Sequence, residues 1–135
     1  MRCVSWSAHE AAATRKAHRE AGLCIYCDNY AEIGQVCGNH WFVRLSKRLL
    51  GKATEENGRI LKATFIASKA RCAYTGVELT FKTAAAIHRV PVSRGGTRSA
   101  ENVEWVTAEI GRMKGELLPE EFLALCAEVA TRRTP

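Results

Sequence analysis

The sequence predicts a small α+β fold, and three observations predict it. Two short apolar runs, one ending at His88 and one spanning Val103-Glu104-Trp105-Val106, flank a loop whose Pro91, Gly95 and Gly96 suit a bend, as in a hairpin. Several stretches on either side carry helix caps and apolar residues at about one-turn spacing. Near the N-terminus, two cysteine/histidine pairs repeat one close spacing, the pattern with which short chain segments hold a metal.

The elements follow in order. Residues 7–21 predict a helix, with Ser7 and Glu10 at capping-box spacing and Gly22 as its stop. His9 and His18 are expected on its surface. Next come Cys24 and Cys27, then Cys37 and His40, each pair two residues apart, with nine residues between the pairs. Two such turns can point four donors at one centre, which is treble-clef or zinc-ribbon spacing, and no coordination position would be left open for chemistry. Buried thiols beside a surface histidine are the alternative reading. From His40 to about Gly51 a second helix is expected, with Trp41, Val43, Leu45 and Leu49 inward and Arg44, Lys47 and Arg48 outward. Residues 1–53 would form this helical zinc-knuckle module, and residues 54–135 a second unit.

The second unit opens with a helix over 54–70. Thr54 is its cap, Glu55 and Glu56 sit in its first turn, and Ile60, Leu61, Phe65 and Ile66 supply its buried face. Gly58 weakens it slightly. Arg71 to Gly76 breaks the helix, and the alternation of Val77, Leu79 and Phe81 with Glu78 and Thr80 predicts a short strand. Cys72 reads as a small packed hydrophobe. After the hairpin, a basic helix is expected over roughly Ala108 to Lys114. A last helix begins at Leu118-Pro119 with Phe122, Cys126 and Val129 as its buried stripe. The basic end, 131–135, should fray.

Twenty lysines and arginines against fourteen acidic residues give a net charge of +6. A basic small domain favours a polyanion, and nucleic acid is the commonest. No apolar run is long enough to span a membrane, and the first residues lack the apolar core of a signal peptide. The expectation is an intracellular protein with no membrane partner.

From Cys72-Ala-Tyr-Thr-Gly76 to about Val129 the chain resembles the ββα-metal core of the HNH (His-Me finger) endonucleases of phage or mobile-element type. His88, three residues before Pro91, stands where that family has its general base. Arg94-Gly95-Gly96 stands for its loop, Asn102 for its central asparagine, and Arg112-Met113-Lys114-Gly115 for its helix end. The resemblance implies hydrolysis or nicking of DNA, with magnesium or manganese on the phosphate, His88 and Asn102 as catalytic residues, and Arg89, Arg94, Arg98, Arg112 and Lys114 gripping the backbone. Two positions depart. Ile87 stands where many relatives have a metal-binding aspartate, and Gly111 where they have asparagine or histidine. The alternative is therefore a fold of the same kind that binds nucleic acid, or a host or phage protein machine as inhibitor or assembly factor, without cutting.

Overall fold

The computed structural model of the chain describes residues 8–24, 29, 31, 33, 34 and 36–134, with side chains from residue 13 onward. Among the described residues, helices and one two-stranded antiparallel sheet make an α+β fold, as the sequence predicts. Helix α1 is Ala8–Ala21, α2 is Gly38–Leu50 and α3 is Glu55–Ala67. Strand β1 is Ala84–His88 and β2 is Val103–Thr107. They are followed by α4, Ala108–Lys114, and α5, Pro119–Arg133. No described helix is long and apolar enough to cross a membrane.

The α2–α3 pair forms because its turn is closed by side chains. The Thr54 hydroxyl accepts the Asn57 N–H at 3.0 Å and caps α3. The Lys52 carbonyl accepts from Asn57 Nδ2 at 3.0 Å, and the buried Ser46 hydroxyl lies 2.9 Å from it. Gly58 lets the helices touch: a Cβ there would sit 2.6 Å from Val43 Cγ2 and 3.2 Å from Val43 Cα. The glycine that looked like a weak point in a helix is thus the contact between two.

In the hairpin, Ala84 lies opposite Thr107 and His88 opposite Val103. Side chains alternate across a strand, so Ala86 and His88 share a face with Trp105 and Val103, and Ile87 shares the other with Glu104 and Val106. The first face meets α2 and α3. There Phe42, Leu49, Leu61, Leu79, Ala86 and Trp105 form one buried cluster, edged by the rings of Trp41, Phe65 and Phe81. Trp105 Nε1 donates to Thr64 Oγ1 at 2.9 Å, so the indole is buried with its one donor satisfied. The second face is covered by α4. The core draws on residues from both sides of the 53/54 boundary, and that boundary falls in the α2–α3 turn.

Several local expectations change. Helix α2 begins two residues before His40, at Gly38, and Cys37 is its N-cap. Helix α3 stops at Ala67, because Lys69 and Ala70 turn with positive φ and the Ala70 carbonyl takes the Leu79 N–H at 2.6 Å. The strand expected over 77–81 reduces to one bridge, Arg71 to Glu78. The turn from Thr80 to Ala84 follows at once and leaves it no partner. On α3, Leu61 is fully buried while Ile60 and Ile66 are 37% and 64% exposed. On α5 only Phe122 is buried, edge-on to Tyr74 at 5.4 Å between centroids. Val129 is 56% exposed and Cys126 half-buried, so the expected stripe ends after one turn. Cys72 is buried in the core cluster. His18 is half-buried, with Nδ1 2.7 Å from the Cys24 carbonyl. The side chain of His9 and residue Ser7 lie outside the described residues.

Candidate metal cluster and basic face

The thiols of Cys24 and Cys37 and the imidazole of His40 converge, with all donor atoms within 4.8 Å of one another. His40 Nδ1 is 3.4 Å from Cys24 Sγ and 3.3 Å from Cys37 Sγ. A tetrahedral zinc with bonds of about 2.3 Å to sulfur and 2.0 Å to nitrogen separates those atoms by about 3.5 Å, so the three donors fit that ion. Local structure explains the convergence. The Cys24 N–H bonds to the Asn29 carbonyl at 2.8 Å and the Ala31 N–H to the Gly22 carbonyl at 3.0 Å, folding the first turn back on itself. Cys37 caps α2 and His40 follows in its first turn. Asn29 Nδ2 points at Cys37 Sγ from 4.0 Å. Both cysteines are buried, and burial holds His40 below the ordinary imidazole pKa against the pull of Glu55, which favours the neutral, ligating form. The fourth expected ligand, Cys27, lies outside the described residues. Among those described, no other set of three histidine, cysteine or acidic side chains comes close enough to hold an ion.

At the hairpin, Asn102 is buried and fully bonded. Its Oδ1 accepts the Val90 N–H, and its Nδ2 donates to the Val90 and Thr97 carbonyls, all at 2.9 Å. Its backbone carbonyl takes the Arg89 N–H at 2.7 Å. One side chain thus clasps both ends of the loop between the strands. His88 is half-buried, on the α2 side of the sheet, and its Nε2 donates to the Leu49 carbonyl at 2.9 Å. That carbonyl is one of the unpartnered set at the end of α2. The next one back, of Arg48, accepts from Arg98 at 2.8 Å. His88 and Arg98 therefore close a helix C-terminus, where donors and positive charge are both favoured.

Ile87 and Gly111 meet on the opposite face. A Cβ on Gly111 would lie 3.5 Å from Ile87 Cγ2 and 3.7 Å from Val106 Cγ2. The two positions that depart from the family pattern are one apolar contact between β1 and α4.

The expected phosphate grip is mostly neutralised. Arg89 pairs with Glu104 at 2.9 Å, Arg94 with Glu121 at 2.9 Å, and Arg112 with Glu109 at 3.9 Å. The Arg94 hydrogen bond holds the Glu121 carboxyl below its usual range, and Glu121 also accepts the Leu118 N–H at 2.9 Å at the start of α5. Lys114 is not on the rim at all. It is 1% exposed, and its Nζ donates to the Arg89 carbonyl at 2.8 Å and the His88 carbonyl at 3.4 Å, with burial pulling its pKa down. Of the five residues expected to contact phosphate, only Arg98 is exposed with no acidic partner among the described residues.

Uncompensated cations lie elsewhere. Arg44, Lys47 and Arg48 sit on the face of α2 opposite Phe42, Ser46 and Leu49, all three exposed. None of them, nor Lys52 just beyond, has an acidic partner among the described residues. Arg48 Nη2 donates to the Ala86 carbonyl at 2.9 Å, which fixes the guanidinium without cancelling its charge. With Arg98 these residues make a basic face along α2. The sequence does carry the signal, an outward Arg44, Lys47 and Arg48, but reading it needs knowledge of which other arginines find carboxylates.

No family model matches the chain, and no curated protein matches it significantly.

Proposed function

We propose that the chain is a nucleic-acid-binding protein on an HNH-like hairpin and helix, stapled by a zinc knuckle, that holds the phosphate backbone without cutting it. One observation carries this reading: Arg44, Lys47 and Arg48 are exposed along one face of α2 with no carboxylate partner among the described residues, and Lys52 and Arg98, likewise without one, lie at the end of the same helix. Cations clustered along one helix face without ion-pair partners suit a chain of phosphates. The Ile87–Gly111 contact supports the absence of cutting. The family's metal would draw donors from those two positions, and here they offer a methyl group and a hydrogen. His88, in turn, is engaged with a helix carbonyl.

A second reading, a metal-dependent endonuclease with His88 as base, is favoured by Asn102, which clasps the loop as the family's central asparagine would. One experiment separates the two. Supercoiled plasmid and labelled oligonucleotides are incubated with the protein, with magnesium or manganese, over a range of salt. The binding reading predicts retention that falls steeply with salt, and intact plasmid. Nicking that disappears in His88→Ala would establish the endonuclease instead. Absence of retention even at low salt would remove both and leave the docking role.

A further inference from the structure

We propose that the groove between the knuckle and α2 receives an unpaired nucleobase, so that the preferred target is single-stranded nucleic acid. The inference rests on the binding reading above and narrows it. The groove has a volume of about 380 Å³ and is lined by Ile33, Gly34, Val36, Trp41, Arg44 and Leu45. Among the described residues its walls are apolar except for Arg44. Trp41 is half-buried, packed against the rings of Phe42 at 5.0 Å, Phe81 at 5.2 Å and Trp105 at 5.7 Å, and lines the groove. A rigid indole beside aliphatic side chains is a stacking platform for a flat ring.

Charge decides what kind of ring. With about 100° of turn per residue, Trp41, Leu45, Arg44 and Arg48 share one flank of α2. Arg44 stands at the groove's lip, and Arg48 lies one turn further along. Arg98 is held at the same helix end by its bond to the Arg48 carbonyl at 2.8 Å. None of the three has a carboxylate partner among the described residues. An apolar slot that runs into a line of uncompensated arginines fits a base attached to a phosphate backbone. An apolar peptide side chain would leave the arginines without a role. In a duplex the bases are paired and stacked and cannot enter a surface groove, whereas a single strand presents them.

The test is fluorescence anisotropy of three labelled probes with the full chain at one salt concentration: a mixed-sequence single strand, the same strand with abasic sites, and the matching duplex. The single strand should bind at least about tenfold tighter than either of the others, the range that one or two stacked bases give. It alone should quench tryptophan emission, and Trp41→Phe, which keeps a ring in the packed position, should abolish the quench while the strand still binds. Equal affinity for the intact and abasic strands, or a preference for duplex, would overturn the groove's assignment and leave backbone binding standing. Failure of all three probes to bind would overturn backbone binding as well.

Discussion

Asn102 shows how much one side chain can fix. It satisfies one N–H and two carbonyls of a loop that has no strand to pair with. Asn102→Ala would leave three polar groups without that partner at a buried position, and unsatisfied buried groups cost about 1–3 kcal/mol each when water cannot reach them. A loss of about 2–4 kcal/mol in urea denaturation is expected, and a change below about 0.5 kcal/mol would contradict this role. Tyr74 makes a prediction in pH. Its hydroxyl and Glu104 Oε2 are buried close to one another. Burial first, then the nearby Glu104 charge, push the Tyr74 pKa up to about 12 from 10.0. The folded state therefore keeps a proton that the unfolded state has already lost between those values. By linkage, this group's contribution is intact below pH 10 and declines as pH rises to about 12. Tyr74→Phe should remove that part of the alkaline loss of stability, and an unchanged alkaline limb would show that the hydroxyl is not responsible.

Two helical glycines test packing at the level of elements, and they should respond in opposite directions. Relative to glycine, alanine favours a helix by about 0.8–1 kcal/mol. At Gly111 in α4 a Cβ would meet only ordinary contacts, the nearest 3.5 Å away, so Gly111→Ala should stabilise by up to about 1 kcal/mol. At Gly58 in α3 the same atom would come within 2.6 Å of a stiff β-branched side chain and 3.2 Å of backbone. There the clash should outweigh propensity, and Gly58→Ala should lower stability by about 1–3 kcal/mol. Thermal denaturation of the pair decides it, and a gain in stability from Gly58→Ala would mean that α2 and α3 do not approach as described. The knuckle is tested by metal. Purified protein should carry about one zinc per chain, and chelation or Cys24→Ser should lower both metal content and melting temperature. Full stability without metal would remove the zinc from the account.

At the scale of the whole molecule, the sequence made legible what neighbouring residues decide among themselves. Thr54 as a cap, Pro119 at a helix start, and the convergence of Cys24, Cys37 and His40 are local chemistry, and they appear where expected, while Cys27 lies outside the described residues. The strand expected over 77–81 failed because alternation describes a face and supplies no partner to pair with. The partners of the hairpin cations were hidden for a related reason. Arg94 meets Glu121, 27 residues away in sequence, and Lys114 turns inward to carbonyls 25 and 26 residues back, pairings that no local pattern announces. Burial of a lysine is costly enough to be rare, so nothing in the composition suggested it. The consequence is that the candidate binding surface moved from the hairpin to α2, although both sets of cations were visible from the start.

A paired substitution distinguishes α2 from the hairpin as the face that holds phosphate. Arg44→Gln, Lys47→Gln and Lys52→Gln are combined in one variant, and Arg89→Gln, Arg94→Gln and Arg112→Gln in another, and binding to a labelled single strand is measured across a range of salt. The account predicts that the first variant loses about tenfold or more in affinity and that its log–log salt slope shrinks by about two, since each lost phosphate contact removes about 0.7. The second should stay within about threefold of the unaltered protein at matched folding. Loss of binding in the second variant with retention in the first would contradict it.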